Sequence, residues 1–181
     1  MENVLVISGH TYLEDSVANK AILEELENNL KNKEIRYLDK LYKDYKIDRA
    51  KEQEYLIKSD VIILVFPLFW FSMPSLMHKY FEEVFTHGFS HGSTGDKLKG
   101  KKVIVSITSG AEENIYLKEN KESKIDDFLI PLKTTCAFTG MQYMGYVFTG
   151  GVSYQTRINE ENINTIKEKA KLHAKRLLDM I

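Results

Sequence analysis

Hydrophobic positions fall into two alternating kinds along this chain. Short unbroken runs of mostly β-branched residues are separated by longer stretches in which apolar residues recur every three or four positions. The first kind reads as strand buried on both faces, the second as amphipathic helix. The clearest example spans Ser59 to Phe85. It opens with Val61-Ile62-Ile63-Leu64-Val65-Phe66, breaks at Pro67, passes Leu68-Phe69-Trp70-Phe71, and meets a second proline at Pro74. Leu76, Met77, Tyr80, Phe81, Val84 and Phe85 then share roughly one helical face. Further runs predict strands over 3–8, 34–38, 101–107 and 141–148. Helices are predicted from Ser16 to about Asn32, over 48–58 behind an Asp48 cap, from about Lys124 to about Gly140, and over 159–180 behind an Asn159 cap. Residues 86–100, rich in glycine, serine and threonine, read as a long loop.

Strands alternating with helices imply right-handed crossovers and a parallel sheet covered on both faces. Five strands and five helices in one 181-residue domain, residues 1–181, fit a flavodoxin-like doubly wound α/β sheet of order 2-1-3-4-5. Its switch point lies between strands one and three, so the loops 8–19, 67–74 and 108–116 are expected to build a site.

Composition narrows the classes. A net charge of −1 and a pI near 6.5 give no footprint for nucleic acid or an anionic membrane. They also argue against a one-electron carrier that docks through a strongly acidic face. Cys136 is the lone cysteine, which excludes a disulfide framework and a CxxC metal site. No secretory signal and no apolar run of ~18 residues is visible, so a cytoplasmic location is expected.

The three loops hold the candidate chemistry. The first, from Ser8 to Asn19, ends at a helix amino terminus, where free amides and the helix dipole attract anions. Ser16 can add a hydroxyl and His10 an imidazole N–H; equally, Ser16 can be a plain N-cap and His10 a loop residue. Glu14 and Asp15 are expected to point away from an anion. GxGxxG and GKS/T patterns are absent. The second loop, Pro67-Leu68-Phe69-Trp70-Phe71, places three consecutive aromatics and the sole tryptophan at a strand end. Its amides from Leu68 to Phe71 are positioned for the edge of a flat heterocycle and its rings for the face; a subunit interface or core would use the same aromatics. In the third loop, Thr108-Ser109-Gly110-Ala111 lets backbone approach a ligand closely, and Tyr116 can donate a proton. His87 and His91 sit among glycines, where helical spacing does not apply, and no metal site is expected. Cys136 reads as a small buried hydrophobe, and His78 and His173 take no role.

With these segments in place, the chain resembles the flavodoxin-like NAD(P)H:quinone oxidoreductases, the DT-diaphorase family. It is most similar to small bacterial members, including the ancillary subunits of glutathione-gated potassium efflux antiporters. The segments that carry the resemblance are His10 with Ser16-Val17-Ala18-Asn19-Lys20, the run Pro67-Leu68-Phe69-Trp70-Phe71-Ser72-Met73-Pro74, Thr108-Ser109-Gly110, and Ile47-Asp48 with Glu52-Gln53-Glu54.

The resemblance implies a flavin, FMN or alternatively FAD, with NAD(P)H as co-substrate and a quinone-like acceptor. His10, Ser16, Val17, Ala18 and Asn19 would hold the phosphate. Pro67, Leu68, Phe69, Trp70 and Phe71 would carry the ring, and Thr108, Ser109, Gly110 and Ala111 its pyrimidine side. It further implies a homodimer, for which the helix through Tyr80 and Phe85 is the candidate face, and a possible membrane transporter as partner. Tyr116 matches the tyrosine that animal members use in a proton relay, but Glu122 stands where they carry histidine. Phe69 replaces a common glutamine.

Overall fold

The computed structural model describes residues 2–117, 124–153, 155 and 158–181. Five strands form one parallel sheet: β1 (Val4–Ser8), β2 (Lys33–Tyr37), β3 (Val61–Pro67), β4 (Lys102–Thr108) and β5 (Gln142–Thr149). Their order is β2-β1-β3-β4-β5, as the alternation predicts. The helices are α1 (Val17–Asn29), α2 (Leu38–Leu41), α3 (Arg49–Lys58), α4 (Ser75–Val84), α5 (Asn114–Leu117), α6 (Ile125–Phe128), α7 (Ile130–Phe138) and α8 (Glu160–Leu178).

The two faces of the sheet follow from the two-residue period of a strand. Leu5, Ile7, Ile62, Leu64, Phe66, Val103, Val105 and Ile107 point to one side and pack with Leu56, Leu76, Met77, Tyr80, Val84, Leu132 and Cys136. Val4, Val6, Val61, Ile63, Val65, Ile104 and Val147 point to the other and pack under Ile22, Leu23 and Leu26 of α1 and Ala170 and Leu177 of α8. All seven residues of β3 are buried. At ~1.5–3 kcal/mol for each large apolar side chain taken out of water, this strand anchors the fold.

Two helix starts behave as read from sequence: Asp48 accepts from the Lys51 amide and Asn159 from the Asn162 amide. The helix expected over about 124–140 divides at Leu129 into α6 and α7. Pro131 explains the break, since it has no N–H and its ring excludes the carbonyl four residues back. The tyrosine-bearing connection after β2 contains the short helix α2. The candidate dimer face on α4 is corrected in part: Tyr80 is fully buried, with its ring in the core, and Phe85 is half-buried against that core. In β5 the register slips between Val103↔Tyr143 and Ile104↔Gly145, leaving Met144 as the extra residue of a bulge. Gly145 takes φ 126°, which only glycine adopts without strain.

A buried polar cluster lies beneath α3. Glu52, with no exposed surface, receives Nη2 of Arg36 at 2.7 Å and also the Tyr42 hydroxyl, while the Arg36 guanidinium stacks 4.1 Å from the Tyr55 ring centroid. Among the described residues no helix is long and apolar enough to cross a membrane.

Candidate functional site

At the carboxyl ends of β1, β3 and β4, where the strand order reverses, lies a cavity of about 510 Å³. Ten of the residues picked from sequence line it: His10, Ser16, Val17, Asn19, Pro67, Leu68, Phe69, Thr108, Ser109 and Gly110. Tyr12, Asp15, Val152, Ser153 and Ile166 complete the wall.

In the first loop Ser16 takes the capping role. Ser16 Oγ accepts from the Asn19 amide at 3.1 Å and from Asn19 Nδ2 at 3.1 Å. It is therefore the N-cap of α1, and since both bonds use its lone pairs, its own proton remains free to donate into the cavity. The amides of Val17 and Ala18 open the helix and have no intrahelical acceptor. His10 Nδ1 accepts from the Tyr12 amide at 3.0 Å, which puts the ring proton on Nε2. Burial holds this imidazole down at about 4, against the pull of Asp15, so it is a neutral donor at pH 7. Glu14 turns outward to Lys20 and Lys40, as expected. Asp15 does not: the 3₁₀ turn Leu13–Asp15 leads into α1 and brings Asp15 to the wall.

Asn19 is 2% exposed and links two walls. Its Nδ2 donates to Ser16 Oγ and, at 2.8 Å, to Thr108 Oγ1, while Oδ1 has no partner among the described residues. A buried acceptor left unpaired costs about 1–3 kcal/mol, so this atom calls for a donor in the cavity.

The second loop corrects an expectation about amides. Leu68 N–H is already spent on the Thr108 carbonyl at 2.7 Å, and Phe69 N–H on the Ser72 carbonyl at 3.0 Å. Ser72 N–H returns to the Phe69 carbonyl, closing a two-residue hairpin around Trp70 and Phe71. Both central residues have positive φ, 49° and 62°, the geometry of a primed turn that asparagine and glycine ordinarily supply. Of the four amides expected to face a heterocycle, only those of Trp70 and Phe71 are free of hydrogen bonds within the described residues. Phe69 meets the His10 ring edge-on at 5.6 Å and joins the wall. Trp70 is 94% exposed outside it, and Phe71 leans on Phe128 at 5.3 Å.

The third loop hangs on the loop after β5. Ser109 N–H donates to the Thr149 carbonyl, Val152 N–H to the Ser109 carbonyl, and Gly151 N–H to the Ala111 carbonyl. Ser109 Oγ donates to the Ala111 carbonyl at 2.7 Å. The Gly110 amide has no acceptor among the described residues, and a Cβ there would come within 3.3 Å of Ser153. Ala18 is buried and Ala111 packs against the core, so neither side chain reaches the cavity. The Tyr116 ring, 9% exposed, packs edge-on to Phe148 at 5.4 Å and Phe128 at 6.2 Å, outside the wall. Glu122 lies outside the described residues.

Val152, Ser153 and Ile166 lie beyond the three switch-point loops, on the loop after β5 and on α8. The Gly150-Gly151 pair after β5 and the apolar face of α8 were the available signals. Away from the cavity, His87 and His91 stand 5.7 Å apart between ring centroids. Among the described residues no group of three or more histidine, cysteine or acidic side chains could hold a metal ion. Cys136 is buried, as its neighbours suggest, and burial pushes its thiol up to about 11.

A family model described as flavodoxin-like fold matches residues 2–174. General stress protein 14 of Bacillus subtilis is 38% identical over 149 residues, 81% of this chain and 85% of that protein. The glutathione-regulated potassium-efflux system ancillary protein KefF of Enterobacter sp. (strain 638) is 35% identical over 141 residues, 78% of this chain and 79% of that one. Among solved structures, general stress protein 14 of Treponema denticola in complex with FMN superposes with a TM-score of 0.87 at 23% identity, covering 99% of both chains.

Proposed function

The chain belongs to the flavodoxin-like fold family, and from that premise we propose that it is an FMN-dependent NAD(P)H oxidoreductase acting on a quinone or similar flat acceptor. The carrying observation is the orphaned, buried Asn19 Oδ1 in a cavity lined by the start of α1 and by Gly110, whose amide has no acceptor among the described residues. Those groups fit FMN: its phosphate, its polyhydroxyl chain and its ring each find a counterpart. The cavity volume is in the range of cofactor sites.

In this reading the amides of Val17 and Ala18, the Ser16 hydroxyl and the His10 Nε2–H hold the phosphate. Asn19 Oδ1 accepts from a chain hydroxyl. Phe69 and Pro67 bound the ring face, and the amides of Trp70, Phe71 and Gly110 donate to its polar edges. When bound, FMN supplies the two-electron chemistry between NAD(P)H and the acceptor. The protein's part is to place these donors where negative charge collects, in a site whose aromatic walls exclude water. One open face serves both substrates in turn, which gives ping-pong kinetics. Exposed Trp70, Phe71, Ile130 and Phe138 favour a homodimer that covers them.

The test is a visible spectrum of the purified protein, with added FMN if needed, followed by anaerobic NAD(P)H. Uptake of FMN and bleaching of its yellow band are expected. A colourless protein that takes up no FMN would overturn the reading. The likeness to KefF carries a second reading, an ancillary subunit of a potassium efflux antiporter with the same fold and flavin. Co-purification with a transporter together with slow quinone turnover favours that alternative.

A further inference from the structure

His173 has no surface exposure and no place in the cavity wall. It lies on the sheet-facing side of α8, seven residues beyond Ile166, which does line the cavity. Both ring nitrogens are engaged: Nε2 with Ser106 Oγ at 2.8 Å and Nδ1 with Thr149 Oγ1 at 2.9 Å. A leucine would fill this space without needing partners, so a buried polar ring here calls for a reason other than packing.

The two bonds lead to different places. Ser106 sits within β4, its neighbours across the sheet being Val65 and Val147. Thr149 ends β5, and its carbonyl receives the Ser109 amide at 3.0 Å. Ser109 in turn receives Val152 N–H at 3.1 Å, and Ser109, Gly110, Val152 and Ser153 are cavity wall. Arg176 also donates to Thr149 Oγ1 at 3.0 Å and to the Phe148 carbonyl at 3.1 Å, both bonds only part-buried, whereas the bond to Nδ1 is fully buried. The buried bond to Nδ1 is the one that solvent cannot replace.

We propose that His173 is a positioning residue: through Nδ1 and Thr149 it holds the 109–111 and 150–153 loops at the spacing the ring end of the flavin site requires. The inference rests on the flavin reading of the cavity. The Nε2 bond to Ser106 ties helix to sheet and leaves the loops alone.

The two nitrogens can be separated. Asparagine places a polar atom near the position of Nδ1, and glutamine near that of Nε2. His173→Asn is expected to bind FMN within about threefold of wild type, and His173→Gln about tenfold more weakly. Asparagine is the poorer helix former, so the tighter binder has the lower Tm. Amide hydrogen exchange, which needs no flavin, is expected to quicken at Ser109 and Val152 in His173→Gln only. Equal FMN affinity in the two variants, or losses that simply follow Tm, would overturn the proposal. Should both fail to fold, Thr149→Val and Ser106→Ala pose the same question, with loss of affinity expected in the first alone. A wild-type protein that takes up no FMN sinks the flavin reading, while the exchange comparison still decides whether His173 holds the loops.

Discussion

At the scale of single residues, the cavity shows side chains with two duties. Ser16 caps a helix with its lone pairs and leaves its proton unused by those bonds. Asn19 braces two walls through Nδ2 and leaves Oδ1 waiting. These roles were half legible: residue type and position mark the cap, but only the folded geometry shows which atom is left over. Tyr116 teaches the opposite lesson. Its place in the third loop points to proton donation, yet its ring is packed between Phe128 and Phe148. Tyr116→Phe keeps that packing, so we expect turnover in steady-state assays to fall by less than about tenfold, short of the roughly hundredfold at which a positioned proton donor's contribution begins. Complete loss of flavin reduction in this variant would contradict it.

Among elements, β3 was the most legible because an unbroken apolar run has few other uses, and its loop was placed by sheet topology alone. The shape of that loop was hidden. Nothing in Phe69-Trp70-Phe71-Ser72 resembles the Asn-Gly signature of a primed turn, and the left-handed backbone at Trp70 and Phe71 is imposed by the two bonds between Phe69 and Ser72. Each such residue carries a strain of about 1–2 kcal/mol. Trp70 has almost no burial to lose, so Trp70→Asn is expected to raise the stability of the free protein by about 1 kcal/mol, read from urea unfolding. A Trp70→Asn protein no more stable than wild type would mean the turn is relaxed. The break in the helix beyond Lys124 is legible in Pro131, which starts a new helix rather than continuing one.

For the whole molecule, the alternation of strand and helix was sufficient for fold and order, because right-handed crossovers leave few topologies open. The buried polar groups were not readable, since a histidine on a helix or a glutamate in Glu52-Gln53-Glu54 looks like any solvated side chain until its partners are known. They govern how the protein answers acid. His10 and His173 are held by burial at about 4 and about 3, from an ordinary value of 6.5. Below pH 6.5 the unfolded chain takes up protons at these positions and the folded one does not. Stability is therefore complete above pH 6.5 and falls as pH drops toward 4 for His10 and 3 for His173, by up to about 1.4 kcal/mol per pH unit for each. Urea midpoints at pH 7, 6 and 5 check this, and a midpoint that stays level across that span would refute it.

The bulge in β5 reaches beyond the strand that contains it. β5 closes one side of the sheet, and an open strand edge is a template on which further chains can add. Met144 and the left-handed Gly145 interrupt the regular spacing of its outward amides and carbonyls. Such an irregular edge is a poor template for a further strand. The bulge thus guards this border of the sheet against open-ended strand addition.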